Sequence, residues 1–93
     1  MRFNEEKLLQ EFKEYIENTY KSHYSKSPED PQTFELIARI PLRGLNFAVG
    51  NIMKYADRMG EKEGLNRKDL LKMAHFALLA MYCLDKHEKE NPK

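Results

Sequence analysis

The chain has one cysteine, Cys83, which excludes an internal disulfide and fits a reducing compartment. Neither sign of charge prevails, since 16 Lys and Arg stand against 15 Asp and Glu for a net charge of +1. That balance excludes bulk electrostatic binding to nucleic acid or to an anionic membrane, and any basic site must be local. Long apolar runs are also missing. The longest, Met73 to Leu84, is interrupted by His75 and is too short to span a bilayer. The first fifteen residues are rich in glutamate and hold no apolar segment of signal-peptide length, so secretion is not expected. Ninety-three residues make one domain, 1–93, with a core small enough that self-association would help it.

Enzyme signatures are mostly absent as well. No Gly-x-x-x-x-Gly-Lys-Ser/Thr loop cradles phosphates and no Gly-x-Ser-x-Gly elbow presents a serine. Three histidines and Cys83 are too widely spaced for a zinc pattern, so no metal site and no cofactor is expected. Glu14 and Glu17 have the spacing of half a magnesium site in a helical nucleotide pyrophosphatase, but only Asp85 and Glu88, in the charged tail, could supply the other half. Cys83 falls inside a helix without an activating neighbour, which argues against a nucleophile.

What the chain does have is helical periodicity. Leu8, Leu9, Phe12, Ile16 and Tyr20 recur at three- and four-residue steps, an amphipathic helix from an Asn4 cap to about Tyr20 or His23. Two prolines make 24–32 a loop. A short helix follows over Thr33 to Ile40, with Asp30 as its cap, and Pro41 ends it. The rest, 44–88, is a helical hairpin after an N-terminal part, 1–43. Its first helix runs from Leu42 or Gly44 to Met59, with Gly60 as C-cap and Gly50 open to close approach by another backbone. Asn66 caps the second, with Asp69 in a capping-box-like position. The fold class expected is therefore all-α, a small bundle of three to four helices.

In the hairpin's first helix, Leu45, Ala48, Val49, Ile52, Ala56 and Met59 share one face, the expected core side. Phe47, Asn51, Lys54, Tyr55 and Arg58 share the other. Lysine and arginine one turn apart can hold a phosphate, Asn51 can bond a base or ribose edge, and Phe47 and Tyr55 can stack on a purine. Lys62 lies just past the helix, where it could close over the same ligand. The same pattern equally fits a solvated face with Phe47 packed under the first helix. In the second helix, Leu70, Met73, Ala74, Ala77, Leu78, Met81 and Leu84 form the expected core stripe, with Phe76, Leu79, Tyr82 and Cys83 around the rest. A helix so apolar all round asks for more partners than one short chain supplies, and a homo-oligomer is expected. Lys72 and His75 line one side of it and extend the candidate ligand set. His23 and Tyr24 are possible additions, although a lone histidine is as readily a packed residue.

The run Phe47, Gly50, Asn51, Lys54, Tyr55, Arg58, Gly60 and Lys62, followed by Asp69, Leu70 and Lys72, resembles the SaV-like domain of small phage proteins. It departs at Met73, where that family tends to have alanine. The resemblance implies a bacteriophage protein acting in the host-cell cytoplasm. The domain occurs in a phage nucleoside-monophosphate kinase, and a more distant similarity runs to helical-hairpin proteins by which phages sequester cyclic-nucleotide immune signals between subunits. The function implied is non-catalytic sequestration of such a signal. A nucleotide kinase or related enzyme, and an inhibitor that covers a host protein with Phe47 and Tyr55, are the alternatives.

Overall fold

The computed structural model describes residues 2–21, 31–59, 61 and 65–92. Four helices account for most of them: α1 (Glu5–Lys21), α2 (Pro31–Ile37), α3 (Pro41–Arg58) and α4 (Arg67–Glu90). No strand occurs among the described residues. Among the described residues no helix is long and apolar enough to cross a membrane.

The helix starts follow local chemistry. Asn4 precedes α1 at φ 63, a left-handed conformation asparagine tolerates, and the Glu5 carboxylate accepts a bond from the Phe3 amide at 2.7 Å. Ile40 is extended at φ −105 and ψ 106, as a residue before proline must be, and Pro41 then opens α3 rather than merely closing α2. Arg43, one turn into α3, reaches back to donate to the carbonyls of Ile37 at 2.9 Å and Leu36 at 3.0 Å. It thereby satisfies the open C-terminus of α2. Asn66 caps α4, its side-chain oxygen accepting from the Lys68 amide at 2.8 Å. α4 runs on to Glu90, so Asp85 and Glu88 belong to a helix and not to a frayed tail. The expected Asp30 and Gly60 caps lie outside the described residues.

α3 and α4 form an antiparallel hairpin, and the core lies along their seam. Phe34 and Ala38 of the α2 segment, Ala48 and Tyr55 of α3, and Phe76 and Cys83 of α4 are its buried apolar residues. Four rings chain through it. Phe34 meets Phe47 at 6.1 Å, Phe47 meets Phe76 edge-on at 6.1 Å, and Phe76 stacks on Tyr55 at 6.3 Å.

The buried faces differ from the expected ones. On α3 the burial runs through Pro41, Gly44, Ala48 and Tyr55, while Val49 and Ala56 face solvent. That line is turned about 60° from the expected apolar stripe, towards the ring-bearing face. On α4 the buried line is Asp69, Phe76 and Cys83, with Met73 and Ala80 partly buried between them. Their steps of four, three, four and three are those of a coiled-coil seam. Of the stripe expected to be core, Leu70, Ala74, Ala77, Leu78, Met81 and Leu84 are all exposed. The physical reason is steric fit. A Cβ on Gly44 would stand 2.7 Å from Cys83 Sγ and 3.0 Å from Ala38 Cα, so only glycine lets α3, α4 and the end of α2 meet there. Gly50, expected to be the point of close approach, has nothing within 4 Å of the same position.

α1 lies along α4 in the same chain direction and buries none of its residues fully. Arg67 grips Glu11 with both fork nitrogens, Nε to Oε2 at 2.6 Å. The bond from Arg67 holds the Glu11 carboxyl below its ordinary range and pushes the guanidinium up. Both groups are exposed, so the pair orients α1 more than it stabilises it. Further along, Tyr15 and Tyr20 meet the His75 ring edge-on at 6.2 Å and 6.0 Å.

Candidate functional site

The charged end of the hairpin is built around Tyr55. The α3 line that buries Ala48 also buries Tyr55, two turns on, leaving 1% of it exposed. Lysine 54 and arginine 58 flank it on the same helix, and the antiparallel register brings Lys72 of α4 opposite. The Lys54 ammonium lies 4.8 Å from the Tyr55 ring centroid, the Lys72 ammonium 4.9 Å, and the Arg58 guanidinium carbon 5.5 Å. Three cations from two helices thus converge on one ring, each within range of its negative π-face. Asp69 stands beside them, its Oδ2 3.4 Å from Arg58 Nε. The aspartate is buried and the arginine side chain half exposed, so one end of the pair opens to solvent.

Asp69 is a residue of this cluster to which the sequence assigned a different role. Its carboxylate turns to Arg58 across the hairpin instead of completing a capping box with Asn66. A buried carboxylate needs a partner, and α3 supplies it. The signal that would have found it is the pairing register of the two helices, which single-helix periodicity does not contain.

Of the expected ligand residues, Lys54, Arg58 and Lys72 come together. Phe47 and Tyr55 are used elsewhere. Tyr55 is sealed in the core against Phe76, and Phe47 is partly buried between Phe34 and Phe76. Neither offers a free face for a base to stack on, and the hot spot of a host-protein inhibitor loses its two aromatics for the same reason. Asn51 folds back to donate to the Phe47 carbonyl at 2.9 Å, which commits part of its amide to its own helix. His75 is packed against the α1 tyrosines, away from the cation cluster, and burial pushes its pKa below the ordinary value. Lys62, His23 and Tyr24 lie outside the described residues.

The chemistry available is recognition of an anion. Arginine can fork to two oxygens of a phosphate while two ammonium groups act as point charges. Among the described residues no three His, Cys, Asp or Glu side chains come close enough to hold a metal ion, so Glu14 and Glu17 do not join Asp85 and Glu88. Cys83 is fully buried and burial pushes its thiol up, away from the reactive thiolate.

A family model described as a protein of unknown function, DUF3310, matches residues 18–77, about two thirds of the chain. No curated protein and no solved structure matches. The matched span holds the whole of α2 and α3, the cation cluster and Asp69. The chain belongs to the DUF3310 family.

Proposed function

We propose that this DUF3310 member binds a nucleotide by its phosphates at the Lys54, Arg58 and Lys72 cluster and holds it without transforming it. The observation that carries this is the convergence of three cation heads, within 4.8–5.5 Å of a single buried ring. Convergence from two helices matters. It fixes the spacing of the charges by the packing of the core, so little side-chain order has to be created on binding. The choice of a nucleotide among phosphate anions rests on the resemblance of the 47–72 stretch to the SaV-like phage domain. In its finer form the protein is a phage-encoded sponge, working in the host cytoplasm, for a cyclic-nucleotide-type immune signal. With Tyr55 in the core and Phe47 partly buried between Phe34 and Phe76, the phosphates and not a stacked base carry the recognition.

Calorimetry of the full chain against cyclic di- and trinucleotides, cyclic ADP-ribose isomers and inorganic phosphate tests this. At least one nucleotide should bind at micromolar strength or tighter and be recovered chemically unchanged. Lys72→Ala should weaken it by about tenfold, the worth of one charge-assisted bond. Binding no tighter than millimolar to every compound would refute it. Phosphate transfer from ATP to a nucleoside monophosphate would instead establish the kinase alternative.

A further inference from the structure

The outer face of α4 carries a pattern that the fold does not use. Leu70, Ala74, Ala77, Met81 and Leu84 follow one another at steps of four, three, four and three, and all are exposed. This is the spacing of a second coiled-coil seam, turned about 100° round the helix from the buried line of Phe76 and Cys83. No charged side chain interrupts it between Lys72 and Asp85, and Lys72 itself points to the hairpin. Charge appears only at its ends: Arg67, which also holds Glu11, at the N-terminal end, and Asp85 and Glu88, interleaved with Lys86 and Lys89, at the C-terminal end.

We propose that α4 pairs antiparallel with the α4 of a second copy of this chain, about a two-fold axis between Ala77 and Leu78. An antiparallel register centred there sets Ala74 opposite Met81, a small residue against a long one. It sets Arg67 opposite Glu88 and brings Leu70 within one residue of Leu84, so an arginine at one end of each helix faces a glutamate at the end of the other. A parallel pairing would put like charges together at both ends. The seam is also self-complementary, which a two-fold contact requires.

A groove beside the seam fits the same occupant. Leu8, Leu9, Leu70 and Ala74 are among the residues lining an open cleft of about 610 Å³ between α1 and α4. It lies next to the N-terminal half of the seam, where the partner's Met81 and Leu84 would arrive. Pairing does not depend on the anion site, which sits on the far side of α4, and each copy would keep its own cluster facing away from the axis.

The test is a mass measurement on the full chain combined with cysteine mapping. Sedimentation velocity at 10–100 µM should give a dimer, a concentration range at which interfaces of micromolar affinity are populated. Met81→Glu changes an exposed side chain, so its helical circular dichroism should match the parent while its dimer constant weakens by about tenfold or more. Under mild oxidation Ala77→Cys should cross-link to itself. Leu70→Cys should not, but should cross-link to Leu84→Cys when the two proteins are mixed. A monomer across the whole concentration range would overturn the proposal. So would self-linking of Leu70→Cys, which a parallel pair would give alongside self-linking of Ala77→Cys. The native Cys83 is buried and does not confuse the map.

Discussion

The two faces of α4 make opposite use of similar hydrophobicity. The outer face has leucines, alanines and a methionine and stays in solvent. The inner face has an aspartate, a phenylalanine and a cysteine among its seam residues and is buried. Ranked by apolar content alone, the outer face would be the core. What decided the matter is the shape of α3. Gly44 leaves room for Cys83, while Phe47 and Tyr55 offer rings that Phe76 meets from α4. Close packing between unequal side chains outweighed the larger apolar area, because dispersion contacts are lost outright wherever surfaces do not fit. The lesson is that a stripe left outside by such a fit is still available to something of complementary shape.

That contrast can be broken most severely at Phe76. Its ring holds Phe47 on one side and Tyr55 on the other, and only 5% of the residue is exposed. Phe76→Ala should cost about 3–5 kcal/mol in urea unfolding, the usual range for a buried phenylalanine. In a domain this small that is most of the stability. A loss below about 1 kcal/mol would mean that the ring chain does not hold the hairpin.

The next effect separates two glycines of one helix. Gly44→Ala should destabilise by about 1–2 kcal/mol, because overpacking against Cys83 and Ala38 exceeds the helix-propensity gain. Adding Cys83→Ala should recover part of that loss, since one of the two clashing partners is removed. Gly50→Ala has open space around it and should stabilise by about 0.5–1 kcal/mol. Equal effects at the two positions, read from the same denaturant midpoints, would refute the close approach at Gly44.

The smallest effect sharpens the boundary where α1 covers α4. His75 is neutral and partly buried against Tyr15 and Tyr20, and burial holds its pKa below the ordinary 6.5. The unfolded chain then binds the proton more readily than the folded one. Stability is therefore fully present above about pH 6.5 and declines as the pH falls through the interval between 6.5 and the lower folded value. His75→Gln should lack that decline when thermal unfolding is followed from pH 8 to pH 5. A decline of the same size in the variant would assign it to other groups.

Much of the fold was legible in the chain. Proline and asparagine mark helix starts by removing or satisfying backbone donors, and these signals act within a few residues. The hairpin, the Asn66 cap and the all-helical class follow from them, while the start of α3 at Pro41 and the run of α4 to Glu90 do not. The candidate site was legible only in part. Lys54, Arg58 and Lys72 are brought together, but Tyr55, read as surface, is core, and Phe47 is partly buried against that core. Periodicity reports that residues share a face and says nothing of which face turns inward when both carry apolar atoms.

By itself, then, the sequence determined a single helical chain with a hairpin in its second half and a basic stripe on α3. Its lone cysteine and balanced charge set the limits of its chemistry. Those properties are local or compositional, and no contact between distant residues is needed to establish them. The tertiary structure alone decided the rotation of α3 and α4 about their axes. That rotation depends on which side chains interlock across the hairpin: glycine under cysteine, tyrosine on phenylalanine, arginine beside aspartate. From it follow both the cation cluster around a buried tyrosine and the apolar seam left facing outward.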